Sequence, residues 1–145
     1  MKVRRLAAWL SGLWAGVLLG IGAIGAPAGF ATTFPETAGR AAARMFAQEA
    51  YLSLALAVVL LLMLRRQARI SAQAGAGSVL SADMVLLLGT LFCTVAGYFA
   101  LQPMMAAARA GQGGMSFAAL HGVSAAFYGL KTLLIAILAW RLSAR

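Results

Sequence analysis

The chain has 145 residues, of which 63% are hydrophobic and 10% charged, and its formal net charge is +9. A soluble domain carries about 25% charged residues, so this composition cannot solvate a globular surface, and a mean hydropathy of +0.89 points the same way. The positive balance alone would suit a nucleic-acid binder, but the basic residues flank long apolar runs. That placement orients membrane proteins, which excludes nucleic acid and makes the lipid bilayer the expected partner.

The first apolar segment, about residues 6–26, follows Lys2, Arg4 and Arg5. Ala8, Gly12, Gly16 and Gly20 recur along it every fourth residue, a stripe that lets membrane helices approach closely. Packing within the bundle is its first expected use, with a homo-oligomer or a membrane-protein partner as the alternative. Residues 1–28 also resemble a secretory signal ending at Ala26-Pro27-Ala28. The apolar stretch exceeds the about 7–15 residues of a signal core, and it is read as a retained span.

The second segment covers about residues 43–64. Pro35 and Glu36 suit a first helical turn capped by Thr33 or Phe34, so this helix should project beyond the bilayer, carrying Arg40 and Arg44. Glu49 follows Gln48 near the start of the apolar run, Ser53 lies one turn deeper, and Arg65, Arg66 and Arg69 close it. Residues 71–78 read as a flexible loop. The third segment, about 82–105, opens with Ser81 as cap and Asp83 in the first turn, where the helix dipole favours an acid. It carries Gly89, Cys93 and Gly97 in a small-residue row and ends at Gln102-Pro103-Met104-Met105. Cys93 is the single cysteine, so no intramolecular disulfide forms.

The fourth segment, about 117–141, starts after the turn Gly111-Gln112-Gly113-Gly114, with Ser116 as cap. His121, Ser124 and Tyr128 fall within about 60° of one another on its surface. Gly122, Ala125, Ala126 and Gly129 are expected to pack inside the bundle, with the large apolar residues toward lipid. Lys131 lies about 80° from His121, free either to snorkel along lipid or to donate into the bundle.

Each segment meets the about 20 residues that a membrane helix needs. The expected fold is all-α: a polytopic four-transmembrane-helix bundle, one domain over residues 1–145. Lys2, Arg4, Arg5, Arg65, Arg66, Arg69, Arg141 and Arg145 outweigh Arg40, Arg44 and Arg109 across the spans. The positive-inside rule then puts both termini in the cytoplasm of an inner-membrane, multi-pass protein, with Trp9 and Trp140 at that boundary.

With this topology Glu49, Gln102 and the face of His121, Ser124 and Tyr128 arrive near one depth at the outer side. An ionisable group inside a membrane helix faces protein, water or a partner by default. Glu49 is the expected partner of His121, in an outward-facing polar pocket for a small ligand, ion or partner protein. An interhelical hydrogen bond that only holds the bundle together, contributing about 1 kcal/mol, is the plain alternative. No paired carboxylates, activated serine or phosphate loop is present, so no enzymatic activity and no cofactor is expected. Met104 and Met105, with Met45 and Met115, add thioethers near His121 that suit Cu(I), a weak metal reading, since Met is also a common gap filler.

Three patches carry a family resemblance. They are Gly25-Ala26-Pro27-Ala28-Gly29-Phe30 with the following Ala38-Gly39-Arg40 and Met45-Phe46, then Gln102-Pro103-Met104, and Phe117-Ala118-Ala119-Leu120-His121-Gly122-Val123-Ser124. The chain resembles the DUF4149 group of small four-helix membrane proteins, itself similar to the transmembrane protein 205 family, and the last patch carries most of the likeness. The resemblance implies a four-helix membrane fold in a family without an agreed activity. The family pattern often has an asparagine four residues after the His-x-x-Ser pair, where this chain has Tyr128. A more distant likeness to copper-resistance D-type membrane proteins adds a little to the metal reading.

Overall fold

The computed structural model describes residues 2–144; Met1 and Arg145, the latter one of the residues used for orientation, lie outside them. Four helices account for nearly all of it: α1 (Lys2–Thr32), α2 (Pro35–Gln73), α3 (Ala82–Arg109) and α4 (Phe117–Ser143). Among the described residues there is no strand. The shortest helix has 27 residues, about 40 Å at 1.5 Å per residue, so each exceeds a hydrocarbon core of about 30 Å. The molecule is a multi-pass membrane protein.

The expected boundaries hold locally. Pro35 occupies the first turn of α2 with the extended Phe34 as its cap, a position where the missing proline N–H costs nothing. The Ser81 hydroxyl accepts from Met84 N and the Ser116 hydroxyl from Ala119 N, each satisfying a free helix-start donor. The turn after α3 places Gly111 at φ 73° and Gly113 at φ 95°, a left-handed backbone that glycine adopts without steric cost.

One feature of the helices was not legible beforehand. α1 widens to π-helix over Gly20–Gly25 and α3 does so over Val95–Ala100. Pro27 and Pro103 follow these stretches closely. A proline gives no N–H to the carbonyl four residues earlier and crowds it, and the widened turns absorb that mismatch without breaking the helix.

The helices run up, down, up and down, and α1 packs beside α2 and α4 while α3 also packs beside α2 and α4. α2 and α4 therefore oppose each other across one diagonal and run in the same direction. The start of α1, the end of α4 and the α2–α3 turn share one end of the bundle, the terminal end. Arg4 caps the last carbonyls of α4 there, through Leu142 O at 3.2 Å and Arg141 O at 3.1 Å, and Arg141 pairs with Asp83 at 2.7 Å. Toward that end lies a dry core that includes Trp14, Leu18, Leu60, Leu87, Ile135 and Leu138. The far end, with the α1–α2 and α3–α4 turns, buries less.

Two packing expectations need correction. α1 turns Ala7, Ser11, Trp14, Ala15 and Leu18 inward, one residue out of register with Ala8, Gly12, Gly16 and Gly20. A Cβ added at Gly12, Gly16 or Gly20 would meet nothing within 4 Å, so these glycines do not pack within the bundle, and of that stripe only Ala8 lies partly buried against the core. The inward register is the one that buries the large Trp14 ring beside α2. On α4, Gly122, Ala125, Ala126 and Gly129 are exposed. The α3 row behaves as expected: a Cβ at Gly89 would press on Leu134 at 3.1 Å, and one at Gly97 would collide with Phe127.

Candidate functional site

The polar centre of the bundle is an ion pair across its diagonal. The Lys131 ammonium lies 2.9 Å from each oxygen of the Glu49 carboxylate, with both residues buried at 2% and 3% exposure. Helical side chains lean toward the N-terminus of their own helix. The Lys131 stem accordingly points in the direction of the far end, toward Glu49 on α2. The ammonium also lies 5.0 Å from the centre of the Tyr128 ring, within reach of cation–π attraction. A carboxylate on one side and an aromatic face on the other form a cage for a cation, and the chain's own lysine fills it.

A relay of hydrogen bonds ties the pair to α1. Trp14 Nε1 donates to Ser53 Oγ at 2.9 Å, and Ser53 Oγ in turn donates to Glu49 Oε1. Ser53 stands one helical turn below Glu49, so its hydroxyl reaches the carboxylate while accepting from the indole. α3 lines the same level with Thr90, Cys93 and Thr94, all buried. The two threonines donate to carbonyls of their own helix, Leu86 O and Thr90 O. Among the described residues no buried side-chain polar atom lacks a partner. Burying two charges costs several kcal/mol each, offset only when geometry is good and the remaining lone pairs are satisfied; this arrangement meets both conditions.

The residues singled out in the sequence divide differently from expectation. His121 is exposed at the far rim, its ring stacked on Phe117 at 5.7 Å, and the Arg109 guanidinium lies 4.4 Å over the other ring. It makes no contact with Glu49, so the expected Glu49–His121 pair does not form. The physical reason is simple: His121 lies five residues from its helix cap, where water or headgroups can solvate it, whereas Lys131 lies mid-helix and needs a counter-charge. Gln102 is half-buried and bonds to neither Glu49 nor His121.

Ser124 and Tyr128 do not open into a pocket with His121. The Ser124 hydroxyl donates to Gly97 O at 2.7 Å, inside the π stretch of α3, and the Tyr128 hydroxyl donates to Leu18 O at 2.8 Å, just before that of α1. Both widened turns are thus clamped from α4. The Tyr128 ring fits because position 22 is glycine, where a Cβ would lie 2.7 Å from the ring. Met105 is buried, while Met104 and Met115 are exposed. Among the described residues no three His, Cys, Asp or Glu side chains converge as metal ligands.

Sequence alone leaves open whether Lys131 faces lipid or the bundle. A signal for it existed. Leu120, Ser124, Lys131, Ile135, Leu138 and Leu142 repeat at helical spacing, and this is the face that α4 turns inward. The family described as domain of unknown function DUF4149 matches this chain over residues 9–113. That span holds Trp14, Glu49 and Ser53 and ends before α4. No curated protein and no solved structure matches the chain.

Proposed function

The chain belongs to the DUF4149 family, and for this member we propose a non-enzymatic role as a proton-binding bundle of the inner membrane, termini in the cytoplasm, working through Glu49 and Lys131. The observation that carries the reading is the ammonium held between a buried carboxylate and the Tyr128 ring. Ionisable groups at this depth are costly and mark ion or proton pathways by default. A proton arriving at Glu49 neutralises the carboxylate and leaves the Lys131 ammonium without its counter-charge. An unpaired ammonium in hydrocarbon is unstable, so Lys131 then gives up a proton or swings toward water, and the pair is reset when the Glu49 proton passes to the neutral Lys131 amine or, if Lys131 kept its proton, when Glu49 releases its own and the ammonium returns. The other titratable side chains within electrostatic reach of the pair are Tyr128, and Cys93 and Tyr98 from α3; α1 supplies the Trp14–Ser53 relay that holds the carboxylate in place. The polar site proposed here lies deeper than the His121 rim, and both widened turns are found on the far side of the bundle.

The test is proton movement in liposomes containing a pH-sensitive dye, under an imposed gradient. Wild type is expected to dissipate the gradient faster than empty liposomes, and the paired variant Glu49→Gln/Lys131→Gln, which removes both charges together, is expected to fall to the empty-liposome rate. Equal rates for wild type and the paired variant would overturn the reading. The copper reading draws on exposed Met104 and Met115 with buried Met105 and is the weaker one. An accessory role through the exposed face of α1 draws on the unused Gly12 and Gly16.

A further inference from the structure

The outer face of α1 near the terminal end carries an open groove of about 960 Å³, with Gly12 and Gly16 in its floor, Trp9 and Leu13 among its walls, and Arg4 and Arg5 at its mouth. Its volume is at the upper end of the about 300–1,000 Å³ usual for small-molecule sites. We propose that this groove holds one anionic phospholipid, its phosphate at Arg4 and Arg5 and an acyl chain lying over Gly12 and Gly16.

Charge accounting favours an anion. The sequence has 3 acidic residues. Glu49 is taken by Lys131 and Asp83 by Arg141, and Glu36 starts α2 at the opposite end of the bundle. Arg4 donates two of its five N–H groups to carbonyls of α4, which leaves the other three and its charge uncancelled. Lys2 and Arg5 are exposed, and among the described residues neither has a carboxylate side chain beside it. Among the described residues the mouth of the groove is therefore positive without a carboxylate side chain to balance it, and a headgroup phosphate there gains charge-assisted hydrogen bonds.

The shape favours a lipid over a free anion. From Arg5 to Val17 the groove follows α1 for about 18 Å at 1.5 Å per residue, slightly more than half of a hydrocarbon core of about 30 Å. A soluble phosphate would occupy only the mouth and leave the apolar floor uncovered; a phospholipid fills both. A second copy is disfavoured by symmetry. A two-fold axis along the membrane normal brings the same surface of each copy together, setting Lys2, Arg4 and Arg5 against their equivalents, and like charges in juxtaposition oppose association.

The experiment uses the full chain in detergent, titrated with phosphatidylglycerol or phosphatidylcholine and read by native mass spectrometry. The probe set adds glycerol phosphate, and the variants are Arg5→Gln, which touches only an exposed side chain, and Gly16→Leu, which fills the floor. One phosphatidylglycerol is expected to bind in preference to phosphatidylcholine, weakened about fivefold by Arg5→Gln, as for one basic residue at a lipid surface, and displaced by Gly16→Leu. Retained phosphatidylglycerol binding in both variants would overturn the proposal. So would glycerol phosphate competing as well as the lipid, which marks a free-anion site, or a lipid-independent dimer lost in Gly16→Leu, which marks a second copy.

Discussion

Lys131 and His121 interrupt the same apolar helix, yet they have opposite fates. At the bundle centre Lys131 is buried, bonded to both oxygens of Glu49 and faced by an aromatic ring. At the far rim His121 is exposed and only stacks on Phe117. The cost of an ionisable group in a membrane helix thus locates a site only when depth and partner are considered with it. Near a helix end, solvent relieves the cost; in mid-span, only another charge does.

The largest expected effect breaks the comparison from its buried side. Lys131→Met strands the Glu49 carboxylate and is expected to cost about 3–5 kcal/mol in equilibrium unfolding from mixed micelles, the range for breaking a buried ion pair. His121→Ala in the same assay is expected to stay within about 0.5 kcal/mol, as for surface substitutions away from special features. Equal losses would erase the distinction between centre and rim.

Smaller effects sharpen it. Gly97→Ala drives a methyl into Phe127 at the seam of α3 and α4, and overpacking of this kind costs about 1–3 kcal/mol. Gly12→Ala, which meets open space, is expected to show no such loss by the same unfolding measurement. Tyr128→Phe removes the hydroxyl bond to Leu18 O and is expected to cost about 0.6 kcal/mol, the average for an interhelical bond in a membrane protein. Faster amide exchange confined to the widened turn of α1 would accompany it.

The four spans, their caps at Ser81, Ser116 and Phe34–Pro35, and the tight row of Gly89 and Gly97 were legible in the sequence because each rests on local chemistry. The inward faces were harder to read. In a soluble helix the polar side marks the outside, but in lipid both faces are apolar, so periodicity alone did not choose between the register of Ala7 and Ser11 and that of Ala8 and Gly12. Glycine spacing favoured the second; the need to bury Trp14 beside Ser53 decided for the first. Glu49, Ser124 and Tyr128 stand out in the sequence, but Glu49 pairs with Lys131 and not with His121, and the backbone acceptors of Ser124 and Tyr128 have no local signal. His121 is the only histidine of the chain and stands out more than Lys131, although an acid and a base each isolated in an apolar span are natural partners. The π turns depend on how Pro27 and Pro103 are accommodated by neighbouring helices, which no local pattern specifies.

The central claim, that Glu49 and Lys131 form one unit at the heart of the bundle, is tested most directly by a double-mutant cycle. Glu49→Gln, Lys131→Met and the combined variant are compared by unfolding in one micelle system. The combined variant is expected to lose less stability than the two single variants together, by a coupling energy of about 2–3 kcal/mol. Losses that simply add, to within about 0.5 kcal/mol, would show that the two charges act independently and would contradict the account.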